Sequence, residues 1–149
     1  MNIIDITNAD GQIVAPEWLP RMQDVHRQLR PKLKDYAAEI KRVCRTGGRL
    51  CAAAVDNKVV GVALYRIYES TYDGRRMYVD DLVTDDAHRS QGVGAALLAH
   101  MQAIARDAGC DTFALDSGTH REQAHKFYFR EGLTITSFSF RKHLAAKTQ

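Results

Sequence analysis

The stretch from Met77 to Gly109 constrains the fold most. A β-branched run, MYVDDLVT (77–84), leads through RSQGVGA (89–95) into an apolar stripe of Val93, Leu97, Met101, Ile104 and Ala108. The stripe has helical spacing, and Gly109 closes it at the position where a left-handed residue commonly ends a helix. A further short strand reads at 112–115. A strand, a helix and a strand in succession require a crossover connection, so these two strands lie parallel. Upstream the helical period is lost. Residues 50–55 and 59–68 are strands joined by the turn Asp56-Asn57-Lys58, and 77–84 continues them as an antiparallel meander. The sheet is therefore mixed.

The remaining segments add elements around it. Residues 2–7 form a short strand ended by Asn8, Asp10 and Gly11. Leu19, Met22, Val25 and Leu29 mark a first helix, which starts at Pro16 or Pro20 and is interrupted by Pro31. A second helix is expected over 32–44, with Leu33, Ala37, Ile40 and Cys44 on one face and Thr46-Gly47-Gly48 ending it. Residues 69–75, containing Asp73-Gly74, read as a loop. A helix over 121–130 ends at Gly132, and a final strand is expected over 133–140, where Phe138 and Phe140 alternate with Ser137 and Ser139. The order is β-α-α-β-β-β-α-β-α-β, an α/β (α+β) fold with a mixed, mostly antiparallel sheet flanked by helices. A length of 149 residues with 45% hydrophobic content suits one domain, 1–149, around one core. Residues 145–149 read as a loose tail.

Several function classes are disfavoured. The formal charge of +3 is too mild to announce a nucleic-acid binder. Arg27, Arg30, Lys32, Lys34, Lys41, Arg42, Arg45 and Arg49 crowd the N-terminal third, either as solvated helix faces or as a surface that attracts an anion. Cys44, Cys51 and Cys110 are scattered, which suggests neither a disulfide framework nor a zinc site. No metal-ligand spacing is present. No apolar run approaches the ~18 residues of a membrane span, and the N-terminus lacks a signal-peptide pattern. A cytoplasmic protein is expected.

The glycine segment suits a diphosphate. A helix N-terminus leaves N–H groups without intrahelical partners, and their dipoles attract anions. Gly92 and Gly94 lack a Cβ that would block close approach, and Arg89 adds positive charge. A Walker loop is excluded because Gly94 is followed by Ala95-Ala96 rather than Lys-Ser/Thr. The dinucleotide fingerprint is excluded because its third glycine position is Leu97. Taken alone, the two glycines read first as small residues that let a helix pack tightly on a sheet.

They do not stand alone. Asp81-Leu82-Val83-Thr84, then Arg89-x-x-Gly92-x-Gly94-Ala95, closely resembles the acetyl-CoA-binding motif of the GNAT superfamily of N-acetyltransferases. Ala124-His125-Lys126-Phe127-Tyr128 with Gly132-Leu133 resembles that family's second signature, at the matching distance. The segment from Ser117 to Tyr128 is also similar to a branch of small bacterial members that includes aminoalkylphosphonate acetyltransferases, without fixing a substrate.

The resemblance implies residue roles. Leu82, Val83 and Thr84 would pair through their backbone with the pantetheine arm, and an N–H near Leu82 would stabilise the oxyanion. Arg89, Ser90, Gln91, Gly92, Val93, Gly94 and Ala95 would hold the pyrophosphate. Tyr128 matches the general acid that protonates the departing CoA thiolate; read without the motif, it is first a half-buried core tyrosine between Phe127 and Phe129. The amine must lose a proton, and Asp80 and Asp81 are the candidate bases. Strand alternation places them on opposite faces, and relatives with a carboxylate on this strand point to Asp80; otherwise both read as exposed strand carboxylates. Arg121 stands where many relatives have asparagine, either meeting a CoA phosphate or covering the first turn of its helix. His88 and His120 flank the expected cleft as solvated side chains.

The implied function is direct transfer of an acetyl group from acetyl-CoA to a primary amine of a small molecule or peptide. The alternatives are a CoA-binding regulatory or interaction protein without turnover, and a toxin-type enzyme acting on aminoacyl-tRNA. The acceptor pocket is expected from the N-terminal helices and the 69–76 loop. Tyr68, Tyr72 and Tyr78 are candidate lining residues, and Glu17, Asp24 and Asp35 are candidates to draw in a cationic amine. Exposed sheet edges would allow a homodimer.

Overall fold

Near-continuous apolar runs at 50–55 and 59–65, followed by the apolar residues of 77–84, fold as the expected meander. The structure, a computed structural model, describes residues 1–145. Its elements are β1 (Asn2–Asp5), α1 (Leu19–Leu29), α2 (Tyr36–Arg45), β2 (Arg49–Val55), β3 (Lys58–Ser70), β4 (Gly74–Thr84), α3 (Val93–Asp107), β5 (Thr112–Leu115) and α4 (Glu122–Arg130). Short 3₁₀ turns lie at Pro16–Trp18 and Asp86–His88. The five strands stand in the order β1-β2-β3-β4-β5. The first four are antiparallel, and β5 joins β4 in parallel, as the crossover requires.

Local chemistry explains where the boundaries moved. Asp56 and Asn57 both take positive φ (50° and 62°), the backbone of a tight two-residue hairpin. The loop expected over 69–75 shrinks, because β3 runs to Ser70 and β4 resumes at Gly74. Asp73 N–H donates to Ser70 Oγ (2.9 Å) and Arg75 N–H to Asp111 Oδ2 (3.1 Å), which tightens the turn. The second helix starts at Tyr36 rather than at 32. Asp35 caps it, its side chain accepting from Ala38 N–H at 3.3 Å. Arg27 donates to the Leu33 and Lys34 carbonyls (2.8 Å each), holding these residues ahead of the helix.

The chain divides into two compact units, Met1–Leu115 and Asp116–Gln149. In the first, α1 and α2 cover one face of the sheet. Met22, Val25, Tyr36, Ile40, Leu50, Val62 and Leu64 form a continuous buried cluster there. Helix α3 packs through Val93, Leu97, Leu98 and Met101, all buried. Gly61 on β3 permits close approach. A Cβ there would lie 2.6 Å from Val93 Cγ1 and 2.9 Å from Leu97 Cδ1. The first turn of α3 therefore sits directly on β3, and this contact fixes the loop that precedes it.

The second unit carries α4, closed by Gly132 at φ +88° with Leu133 N–H donating to Tyr128 O at 3.0 Å. The strand expected over 133–140 is not there: these residues have no regular secondary structure. The apolar residues change parity along it, Leu133 and Ile135 falling out of phase with Phe138 and Phe140. No single face collects them all, so a half-buried strand gains little. Ile135, Phe138 and Phe140 are accordingly exposed. Of the expected tail, Ala145 is an exposed bend and residues 146–149 lie outside the described residues.

Candidate active site

A β-bulge in β4 organises the site. Leu64 pairs with Asp81 but Tyr65 pairs with Val79, so Asp80 is the extra residue. A bulge interrupts strict alternation. It corrects the expectation of opposite faces, because both carboxylates reach partners on the side covered by α1 and α2. Asp80 Oδ2 accepts from Arg66 Nε at 2.7 Å, and Arg66 also donates to the Thr46 carbonyl at the end of α2. Asp81 Oδ2 accepts from His26 Nε2 on α1 (2.7 Å), and its Oδ1 accepts from Arg30 Nε (2.7 Å). His26 Nδ1 lies 2.7 Å from the Tyr36 hydroxyl. An ionised Asp81 only accepts, so Nε2 carries a proton and donates to it, and the ring's other nitrogen shares the bond with the Tyr36 hydroxyl.

These bonds set the local electrostatics. Burial alone would raise the Asp81 carboxyl, but the bonds from His26 and Arg30 outweigh it and hold the group below its ordinary value. Burial, reinforced by the Asp81 charge, pushes the Tyr36 phenol up. Neither Asp80 nor Asp81 is a simple exposed strand carboxylate. His26, Arg30, Tyr36 and Arg66 were missed as site residues in the sequence. The available signal was His26, a polar residue four after Met22 on the buried face of α1.

Beyond the bulge β4 changes neighbours. β5 pairs with β4 only from Arg76 to Val79. Leu82, Val83 and Thr84 pair with Ala63, Val62 and Gly61 of β3, and β5 no longer runs alongside them. Their second backbone edge extends past the end of β5. The chain then passes through the Asp86–His88 turn into the glycine loop. Gln28 anchors this turn to α1, donating to Asp85 Oδ1 (2.8 Å) and accepting from Asp86 N–H (2.9 Å).

At the loop, Ser90 and Gly92 both take positive φ (61° and 81°). Gly92 is the N-cap of α3, and no side chain caps this end. Ala96 N–H makes the bond back to Gly92 O at 3.0 Å. The amides of Val93, Gly94 and Ala95 belong to the first turn, which has no intrahelical acceptors. A Cβ at Gly92 would meet nothing within 4 Å, so the space beside the N-cap is open. Ser90 and Gln91 are exposed, and Arg89 pairs with Asp86 at 2.6 Å on the surface. His88 is held by Asp85 (2.8 Å), not free in solvent as expected. Cys110 lies at the junction of α3 and β5, and burial raises its thiol.

In the second unit, Arg121 is the N-cap residue of α4 without a side-chain cap bond. Tyr128 packs against Phe127 with ring centroids 5.4 Å apart. Burial raises the Tyr128 phenol, opposed by the Arg121 charge. His120 is exposed. Among the described residues there is no cluster of metal-ligating side chains and no helix long and apolar enough to cross a membrane.

The acetyltransferase (GNAT) family matches residues 13–132. The chain is 32% identical to an N-acetyltransferase of Bacillus subtilis, YhdJ, whose own role is uncharacterized, over 85% of this chain and 91% of that one. It is 38% identical to the aminoalkylphosphonate N-acetyltransferase of Salmonella typhimurium over 44% of this chain and 43% of that one. In fold it is similar to an aminoglycoside N-acetyltransferase solved with CoA, with a TM-score of 0.79 at 17% identity, over 97% of this chain and 95% of that one. The chain belongs to the GNAT family of acetyltransferases, enzymes that draw their acetyl group from acetyl-CoA.

Proposed function

We propose that residues 1–149 form one cytoplasmic enzyme domain that transfers acetyl directly from acetyl-CoA to a primary amine of a small molecule or peptide. One observation carries this reading: the backbone edge of Leu82, Val83 and Thr84 extends past β5 and leads straight into the uncapped N-terminus of α3. The edge suits the pantetheine amides, which need main-chain partners. The amides from Gln91 to Ala95, with Arg89 and Ser90 beside them, suit the pyrophosphate.

The proposed chemistry joins that placement to the roles the family resemblance implies for Tyr128, Asp80 and Arg121. The Leu82 N–H faces the thioester carbonyl and steadies the charge that develops on its oxygen. The amine attacks the carbonyl carbon, a C–N bond forms, and the C–S bond breaks. Tyr128 donates the proton that the thiolate takes up; its raised pKa keeps it protonated for that role. Asp80 receives the amine proton through water. Asp80 is favoured over Asp81 because Arg66 engages one of its oxygens, whereas His26 and Arg30 engage both oxygens of Asp81. Arg121 meets a CoA phosphate in place of the usual asparagine.

Relatives named for thialysine, aminoalkylphosphonates and aminoglycosides are all N-acetyltransferases, which supports an amine acceptor. The test is release of free CoA thiol from acetyl-CoA with amino acids, polyamines, aminosugars, aminophosphonates and lysine peptides. Amine-dependent release is expected for at least one class. Binding of acetyl-CoA with no release for any of them would instead point to a CoA-binding protein without turnover.

A further inference from the structure

A hydrogen-bonded chain leads out of the core and ends on Arg30. Tyr36 and His26 are 3% and 1% exposed, and Asp81 is also buried. They connect through 2.7 Å bonds, Tyr36 to His26 and His26 to Asp81. Asp81 then receives Arg30 through Nε (2.7 Å) and Nη2 (2.6 Å). Arg30 Nη2 also donates to the Asp80 carbonyl at 3.1 Å. The Arg30 side chain is nevertheless 51% exposed. Among the described residues its Nη1 group has no partner. Three buried polar groups thus fix the orientation of one solvent-facing guanidinium. An ordinary surface arginine keeps its rotamer freedom, so a surface ion pair gains little. This one has been ordered in advance, as a binding group is.

Charge around the guanidinium narrows the ligand. Arg66 balances Asp80 and Arg30 balances Asp81. Arg27 adds a further cation, whose field reaches Tyr36. Lys32 and Lys34 follow in the connection to α2. Asp35, once a candidate to attract a cation, is committed to capping α2. Among the described residues the two carboxylates at this corner, Asp80 and Asp81, are each already paired with an arginine, whereas a carboxylate or phosphonate on the acceptor can take the remaining edge of Arg30.

Position supplies the remaining constraint. Arg30 binds the carbonyl of Asp80, two residues before Leu82. At the rise of a β-strand the α-carbons of these two residues lie about 7 Å apart, and the Asp80 carbonyl and the Leu82 amide, one peptide unit apart, are nearer still. We infer that Arg30 is a specificity-determining residue that reads an anionic oxygen group on the acceptor. The acceptor is then a primary amine with a carboxylate or phosphonate a few bonds from the nitrogen. This inference rests on the acetyl-transfer reading above and names the substrate class of the same site.

The test compares propylamine, 1,3-diaminopropane, β-alanine and 2-aminoethylphosphonate as acceptors, using thiol release and calorimetry with acetyl-CoA. Wild type should favour the two anionic acceptors by about tenfold or more in kcat/KM. Arg30→Gln should erase about tenfold of that preference, acting mainly through KM, and Arg30→Lys should restore part of it. A preference for diaminopropane or propylamine overturns the inference. So does an equal loss on all four acceptors in Arg30→Gln, which is what a merely structural arginine would give. Bound acetyl-CoA with no transfer to any amine overturns the acetyl-transfer reading itself and this inference with it, a pattern distinct from the other two.

Discussion

The corner around Asp80 and Asp81 and the loop from Arg89 to Ala95 are close in sequence and spend their polar groups in opposite ways. At the corner, buried Asp81 and half-buried Asp80 are answered from within the chain, by His26, Arg30 and Arg66. At the loop, positive φ at Ser90 and Gly92 delivers an uncapped helix end with open space before it. The first arrangement holds side chains still, and the second offers backbone donors to an anion. One fold can do both because they depend on different things. The corner needs partners distant in sequence, while the loop needs only a local backbone conformation and the close seat of α3 on Gly61.

That difference can be broken from either side. The largest effect is expected from His26→Leu, which leaves Tyr36 and one oxygen of Asp81 unanswered in the core. Stability should fall by about 4 kcal/mol, roughly 10 °C in Tm for a chain of this size. Calorimetry below the new Tm should find acetyl-CoA affinity little changed. Gly92→Glu should do the reverse. The carboxylate would enter the open space before α3, and acetyl-CoA affinity should drop about 100-fold or more by steric block and repulsion. The strained backbone should cost only about 1 kcal/mol in a melting curve.

Asp80→Asn sharpens the division within the corner. It should lower kcat about 100-fold while leaving Tm and acetyl-CoA affinity nearly intact. If Asp81→Asn gave the larger loss of kcat in protein that remains folded, the base would be misassigned. The pH profile offers a milder test. The raised phenol of Tyr128 should place the alkaline fall of kcat above the ordinary value of 10.0, and Tyr128→Phe should abolish that limb.

The smallest effect expected is an acid one. The folded-state pKa of Asp81 is depressed, so its stabilising contribution is present above the unfolded value of 3.8 and is lost as pH falls through the lower folded value. Urea midpoints measured from pH 5 downward should show that decline in wild type and a shallower one in Asp81→Asn.

The same contrast explains what could be read from the sequence. Strand 77–84, the glycine loop and the stripe of α3 were legible because each is written in contiguous residues. The meander and the parallel β5 followed from period and connection. The bulge was not legible, since Asp80 is surplus only with respect to the register of β3. Nor was its partner set, with His26 and Asp81 separated by 55 residues and Arg30 and Asp81 by 51. The start of α2 was misplaced because Asp35 and Arg27 decide it through capping and carbonyl bonds. Residues 133–140 read as a strand from the Ser-Phe alternation, but a parity change at Ser137 spoils the face that would be buried.

The central claim is that acetyl-CoA is held by the edge of β4 together with the loop before α3. Calorimetric titration of acetyl-CoA into the wild-type protein and Gly92→Glu, with both shown to be folded by their melting curves, tests it most directly. The account predicts saturable one-to-one binding by the wild type and a loss of about 100-fold or more in the variant. Equal affinity in the two folded proteins would contradict it.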